Sequence, residues 1–173
     1  MNTYRNMGFA AVPLCLGLAF GAPSHAQNYP QKTIKIIVTA APGGPADFPA
    51  RLAAQVLNAK FGQPVVVEHR PGAGGAIGAR EVAKAAPDGY TLLLGNTSTL
   101  AVIPAVSVKA GYDPVKNFAP IARIVEGFQV IAVHQSSPWT SLSQFVDYAK
   151  ANPGKLSWAH SGAGSLPHLA MGL

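Results

Sequence analysis

IKIIVTAAPGGPADFPARLAAQVLNAKFG, residues 34–62, carries one complete strand–turn–helix unit. Residues 34–40 are rich in β-branched side chains and predict a buried strand. Residues 41–45 (APGGP) predict a tight turn, because proline and glycine break both helices and strands. Residues 50–61 have apolar side chains at helical spacing. Asp47 stands where a helix cap is expected, and Gly62 stands where helices commonly end.

The same order of elements recurs downstream. PVVVE at 64–68 and YTLLLG at 90–95 predict two more strands, and between them RPGAGG at 70–75 predicts a loop and residues 76–86 a helix. Continuous apolar strands separated by helices are typical of a parallel sheet that is covered on both faces. The predicted fold class is therefore α/β, with an open parallel sheet flanked by helices.

The sequence beyond residue 105 predicts the start of a second lobe. The expected elements are two extended stretches within 118–133, a helix at 139–151 capped by Thr140 or Ser141, a strand at 155–160 and a helix from Pro167. We place the first lobe at 27–126 and the second at 127–173. The elements predicted for the second lobe are too few to bury a core of their own. We therefore expect the sequence to be a fragment of a protein about twice as long. A small complete domain is the alternative.

The N-terminus has the layout of a secretory signal peptide. Arg5 precedes the apolar run 8–22, and Ser24-His25-Ala26 provides small residues at the two positions that a signal peptidase reads. We assign residues 1–26 to a cleaved signal and expect a periplasmic protein. A membrane anchor is the alternative, but the run is shorter than the roughly 20 residues needed to span a bilayer. Cys15, the single cysteine, would leave with the signal.

The charge of the chain favours small anionic partners. Thirteen Lys and Arg against seven Asp and Glu give a formal net charge of +6. The basic residues are spread singly, whereas a nucleic-acid-binding protein usually shows a basic run or stripe. Together with the export signal, this distribution argues against a nucleic-acid partner.

Three strand-to-helix turns rich in small residues carry the chemistry, at 42–47, 95–99 and 161–168. In an open parallel sheet such turns lie beyond the carboxyl ends of the strands, where ligands bind. Helix N-termini present unpaired N–H groups and a partial positive charge there, which suits a carboxylate. Four or five charge-assisted hydrogen bonds, less ordering costs, would support binding in roughly the micromolar range.

The order and content of these segments resemble the Bug receptors, the extracytoplasmic solute receptors of the tripartite tricarboxylate transporter family. The runs that carry the resemblance are IKIIVTAAPGGPADFPARL, GQPVVVEHRPGAGGAIGA, APDGYTLLLGNTSTLAV, YDPVKNFAPIARI and PGKLSWAHSGAGSLPHLA. The resemblance implies a type II periplasmic-binding-protein fold with two lobes that close on a ligand. It also implies a small carboxylate as partner, possible membrane subunits of a transporter, a monomer, and neither catalysis nor a cofactor.

The resemblance also implies which residues bind the ligand, through backbone amides and bridging waters. They are Gly43, Gly44, Ala46 and Asp47 in the first turn, Thr97 and Ser98 in the second, and Ser161, Gly162, Gly164, Ser165 and His168 in the third. Pro45 departs from the family pattern of a small polar residue and offers no N–H, so the first turn has one donor fewer. Asp47 has a helix cap as its alternative role, and His168 has a turn cap.

Other readings of the motifs are weaker. The glycines of 72–78 follow a strand, but Ile77 stands where the dinucleotide fingerprint G-x-G-x-x-G requires its last glycine. Residues 159–164 place serine before the first glycine, whereas the nucleophile elbow of a hydrolase needs G-x-S-x-G. His69, His134, His160 and His168 lack metal-ligand spacing. A secreted hydrolase and a non-functional truncated remnant stay open as alternatives.

Overall fold

The computed structural model describes residues 29–107 and 109–172. Its elements, in chain order, are β1 (Ile34–Val38), α1 (Asp47–Phe61), β2 (Val65–His69), α2 (Ala76–Ala83), β3 (Thr91–Leu94), α3 (Ile103–Val106), α4 (Leu142–Ala151) and α5 (Leu166–Gly172). A single 3₁₀ turn, Ala73–Gly75, leads into α2, and a π-helical turn, Ser98–Val102, leads into α3. The predicted signal peptide, residues 1–26, lies outside the described residues.

The three strands form one parallel sheet, as the sequence predicts, and their order is β2-β1-β3. Val38 is level with His69 on one side and with Leu94 on the other. The three strands therefore end together, and the turns that follow them start from one edge of the sheet. We call this the carboxyl edge.

Helices cover both faces of the sheet. Ile36 and Val38 pack with Ala50 and Ala54 of α1 in the main buried cluster. The next residue along the strand direction, Thr39, faces the other way and lies against Gly78 of α2. Ile34, Ile37 and Val38 are fully buried in the central strand, and each such side chain contributes about 1.5–3 kcal/mol of transfer free energy.

The helix ends test the predicted caps. Gly62 ends α1 in the left-handed conformation, with φ of 65°, and its N–H donates to the Asn58 carbonyl. Ser141 caps α4 by accepting from the Gln144 N–H, and the Thr140 N–H donates back to the Gln144 side chain. Both predictions are confirmed. The prediction that Asp47 caps α1 is wrong, because Ala46 holds the cap position and Asp47 is the first helical residue.

The strand predicted at 155–160 is absent, and the two extended stretches predicted within 118–133 do not pair as strands. Both regions carry no regular secondary structure. A strand needs a neighbouring strand for its N–H and C=O groups, and these segments pair with no strand within 29–107 or 109–172. Phe128 and Val130 are consequently 91% and 83% exposed. The β-branched composition indicates a strand, but composition alone does not provide its partner.

Candidate functional site

The first turn, between β1 and α1, is closed by its own hydrogen bonds. The Gly43 N–H donates to Asp47 Oδ2 at 2.9 Å, the Gly44 N–H donates to the Ala41 carbonyl at 3.3 Å, and the Asp47 N–H donates to the Gly44 carbonyl at 2.9 Å. The Ala46 N–H has no hydrogen-bond partner among the described residues. Of the predicted donors in this turn, Ala46 is therefore the one whose amide is available to a ligand.

Asp47 is held inside the protein by positive groups. Its side chain lies 2.9 Å from Arg51 Nε and 3.1 Å from His69 Nε2, both measured to Oδ1. The hydrogen bond from the Gly43 N–H, together with Arg51 and the His69 charge, lowers the pKa of Asp47 although burial opposes that shift. The carboxylate is thus compensated, and it organises the turn instead of facing solvent.

We expect Asp47→Asn to reduce stability at neutral pH and to matter progressively less in acid. A carboxyl whose pKa is lowered on folding contributes stability that is fully present above its unfolded value, near 3.8, and is lost as pH falls through the lower folded value. Urea unfolding of the wild type and the variant between pH 6 and pH 2 should show the gap closing below about pH 4.

Asp147→Asn serves as the control, because the Asp147 carboxylate on α4 accepts only a 3.4 Å hydrogen bond from the Ser143 hydroxyl among its described neighbours. A wild-type to Asp47→Asn gap of constant size across the acid range would contradict the assignment of Asp47 as a charged organiser of the turn.

The second turn, between β3 and the helical segment that follows it, is built on a reciprocal pair. The Asn96 N–H donates to Thr99 Oγ1 at 2.9 Å, and the Thr99 N–H donates to Asn96 Oδ1 at 3.1 Å. The Tyr112 hydroxyl donates to the Thr99 carbonyl. Thr97 stands at the tip of this turn, is exposed, and has an N–H that pairs with no described residue.

The third turn precedes α5 and belongs to the predicted second lobe. Ser165 is 1% exposed. Its N–H donates to the Gly162 carbonyl at 3.1 Å and its hydroxyl accepts from the His168 N–H at 3.4 Å. The Gly162 and Gly164 N–H groups donate to Nδ1 of His160 at 3.1 Å and of His168 at 3.4 Å. Ser165 and His168 therefore hold the shape of the turn.

The second and third turns are in contact. Ser98 Oγ accepts a hydrogen bond from the Leu166 N–H at 2.9 Å, across 68 residues of sequence. Gly162 packs against Gly74, since a Cβ built on Gly162 would lie 3.5 Å from the Gly74 nitrogen. Gly75, next in the same loop, lies against both Thr39 and Thr99. The loop after β2 thus links the ends of β1 and β3 to the third turn at the carboxyl edge.

Sequence reasoning missed three residues of this arrangement. His69 reaches the first turn from the end of β2, and Gly74 and Ala163 meet where the loop after β2 touches the third turn. The signal for His69 was its position, because the last residue of a strand beside β1 must lie near the turn that leaves β1. Nothing local marks Gly74 or Ala163, since the two residues are far apart in the chain.

A shallow, open cavity of about 350 Å³ lies beside the third turn, lined by Leu156, Ser157, Trp158, His160 and His168. No three His, Cys, Asp or Glu side chains within the described ranges are grouped closely enough to hold a metal ion. Within the same ranges, every helix is too short or too polar to cross a bilayer.

Comparison with known proteins identifies the family. Residues 49–173 match the model of the tripartite tricarboxylate transporter family receptor. The chain belongs to this family. The resemblance to the Bug receptors that the sequence indicates is confirmed, and the receptor family is one of solute-binding proteins.

Solved structures of receptors show the same fold. The periplasmic binding protein BugD is 32% identical, with a TM-score of 0.68 over 84% of this chain and 50% of its own. Rpa4515 of R. palustris, determined with adipate, is 34% identical, with a TM-score of 0.71 over 83% of this chain and 48% of its own. MatC of Rhodopseudomonas palustris, with bound malate, is 34% identical, with a TM-score of 0.70 over 80% of this chain and 47% of its own.

The chain spans about half the length of the curated relatives it matches. BugT of Bordetella pertussis, for example, is 38% identical over 149 residues, which are 86% of this chain and 46% of BugT. The receptor fold predicted from the sequence is confirmed at this level, with a parallel sheet flanked by helices that covers about half of each solved neighbour.

Proposed function

We propose that this receptor binds a small dicarboxylate in the periplasm and passes it to the membrane subunits of a tripartite tricarboxylate transporter. The proposal rests on the small-residue turns that meet at the carboxyl edge. Each turn has main-chain N–H groups that make no hydrogen bond to the described residues. The malate and adipate bound by two solved relatives support a dicarboxylate as ligand.

The available donors form the proposed site. The N–H groups of Ala46, Thr97, Ser161 and Ala163 have no hydrogen-bond partner among residues 29–107 and 109–172. Thr97 and Ser161 are exposed and add their hydroxyl groups. Because the first two donors lie on first-lobe turns and the last two on the third turn, one carboxylate could be held by each lobe. The remaining predicted residues, Gly43, Gly44, Asp47, Ser98, Gly162, Gly164, Ser165 and His168, then shape the turns that present these donors.

Charge around the first turn favours an anion. Arg51 and His69 compensate the Asp47 carboxylate, so this acid does not repel a bound carboxylate as a free one would. Without residues 1–26, which carry one basic residue, Arg5, and no acidic one, the formal net charge is +5, and it adds a long-range attraction for anions that ionic strength screens.

The same geometry favours binding over hydrolysis. A hydrolytic site needs a serine hydrogen-bonded to a histidine that an acid orients. Nδ1 of His160 and of His168 instead accepts a turn N–H, from Gly162 and Gly164, and Ser161 has no imidazole partner among its described neighbours. The proposal also includes two expectations from the sequence: residues 1–26 direct export, and the receptor is a monomer.

Isothermal titration of the longest form that the gene encodes tests this function. We expect malate or adipate to bind with a Kd in roughly the micromolar range. Thr97→Ala and Ser161→Ala should each raise Kd about 3- to 10-fold, the equivalent of one hydrogen bond. Ser143→Ala, on the exposed face of α4, is the matched control and should leave Kd unchanged. A folded protein that binds no mono-, di- or tricarboxylate would sink the proposal and favour a non-functional remnant.

A further inference from the structure

His69 occupies an unusual position for a histidine. It is the last residue of β2, level with Val38 of the central strand, and its side chain is 13% exposed. The ring reaches across to the first turn, between β1 and α1. None of the three predicted ligand turns contains His69, and the proposed site does not use it as a donor.

Both ring nitrogens face oxygen atoms that can accept hydrogen bonds. Nδ1 lies 2.9 Å from the Ala40 carbonyl oxygen, which can only accept, so Nδ1 carries a hydrogen. Nε2 lies 3.1 Å from Asp47 Oδ1, without a hydrogen bond between the two atoms. The ring is therefore held on one side by the Ala40 carbonyl and lies against the Asp47 carboxylate on the other.

We infer that His69 is a positioning residue for the first ligand turn. Ala40 is where the chain leaves β1 and Asp47 is where it enters α1, so one ring fixes both ends of the turn. Asp47 in turn accepts the Gly43 N–H. The position of the Ala46 N–H therefore depends on His69, and in this respect the inference rests on the proposed function.

Few charged side chains lie near the His69 ring. Arg51 Nε shares Oδ1 of Asp47 with His69, so a second cation faces the same carboxylate. Glu68 and Arg70, the neighbours of His69 in the chain, pair with each other, and they also pair with Lys35 and Glu81 respectively. Asp47 is thus the anion that faces the imidazole, which makes it the partner to vary.

Two amide variants separate the two contacts of His69. The side-chain nitrogen of asparagine stands near the place of Nδ1, so His69→Asn keeps the donor to Ala40 and removes the contact with Asp47. The nitrogen of glutamine stands near Nε2, so His69→Gln keeps the contact with Asp47 and removes the donor to Ala40. His134→Asn is the control, because His134 is exposed and its ring contacts Ser136.

The test uses the longest form that the gene encodes. We expect ¹⁵N NMR of the His69 ring to show a hydrogen on Nδ1, the nitrogen that faces the Ala40 carbonyl oxygen. We expect His69→Asn and His69→Gln each to shift the Gly43 amide resonance and to raise the Kd for malate about tenfold, the loss of one charge-supported contact. His134→Asn should change neither.

The outcomes separate this inference from the proposed function. A wild-type ring whose Nδ1 carries no hydrogen overturns the contact with Ala40 whether or not malate binds. An unshifted Gly43 amide in both variants overturns the positioning role. If wild-type protein binds no carboxylate, the proposed function fails, and the ring and Gly43 resonances still decide the role of His69.

Discussion

Gly75→Ala is expected to lower the free energy of unfolding by about 2–5 kcal/mol, the sum of backbone strain and overpacking. Gly75 is buried at the start of α2 and has a φ of +104°. A Cβ there would lie 2.1 Å from Thr99 Cγ2 and 3.0 Å from Thr39 Cβ. Chemical denaturation monitored by circular dichroism measures the loss.

A control variant and a double variant separate strain from steric clash. Gly62→Ala has a similar conformational cost, with φ of +65°, but its Cβ would meet no atom within 4 Å. We expect it to cost only about 1 kcal/mol. Thr99→Ser removes the methyl that Gly75→Ala strikes, so the double variant should recover part of the loss. Equal costs at the two glycines would show that close packing at the carboxyl edge is not what requires Gly75.

Amide hydrogens of residues 118–133 are expected to exchange at least about a thousandfold faster than the β1 amide of Lys35 in the 173-residue chain. The Lys35 N–H donates to the Tyr90 carbonyl at 2.8 Å inside the sheet. Residues 118–133 donate no main-chain hydrogen bond to the described residues, and Phe128 and Val130 are almost fully exposed. Hydrogen–deuterium exchange resolved by mass spectrometry measures both regions in one experiment.

The local turn at 113–117 supplies an internal reference for that experiment. The Asn117 N–H donates to the Asp113 carbonyl at 3.0 Å, in an exposed turn, so we expect intermediate protection there. Strong protection throughout 118–133 would contradict the unpaired arrangement and would restore the strands that the sequence indicates.

The sheet and the helices within residues 34–94 were predictable because their signals are local. The β-branched run at 34–38, the helical spacing of α1 and the left-handed Gly62 each act within a few residues, and the structure has all three. Three apolar strands that alternate with helices are typical of a parallel sheet. The resulting carboxyl edge, with its turns, follows from that topology.

The remaining features depend on partners far away in the chain. The sequence does not show that Asp47 pairs with His69, because only the register of β2 beside β1 brings them together. The same composition that indicated strands in 118–133 cannot form them without a neighbour. The available donors of the first turn also differ from those predicted. Gly43 and Gly44 donate their N–H groups within the turn, and only the Ala46 N–H of the predicted donors has no partner among the described residues.

The hydrogen bond from the Leu166 N–H to Ser98 has a consequence for the proposed site. It ties the second and third turns together across 68 residues of sequence. If that site holds a carboxylate as proposed, turns tied in this way lose less conformational freedom on binding, so the Ser98 hydroxyl contributes to affinity without touching the ligand.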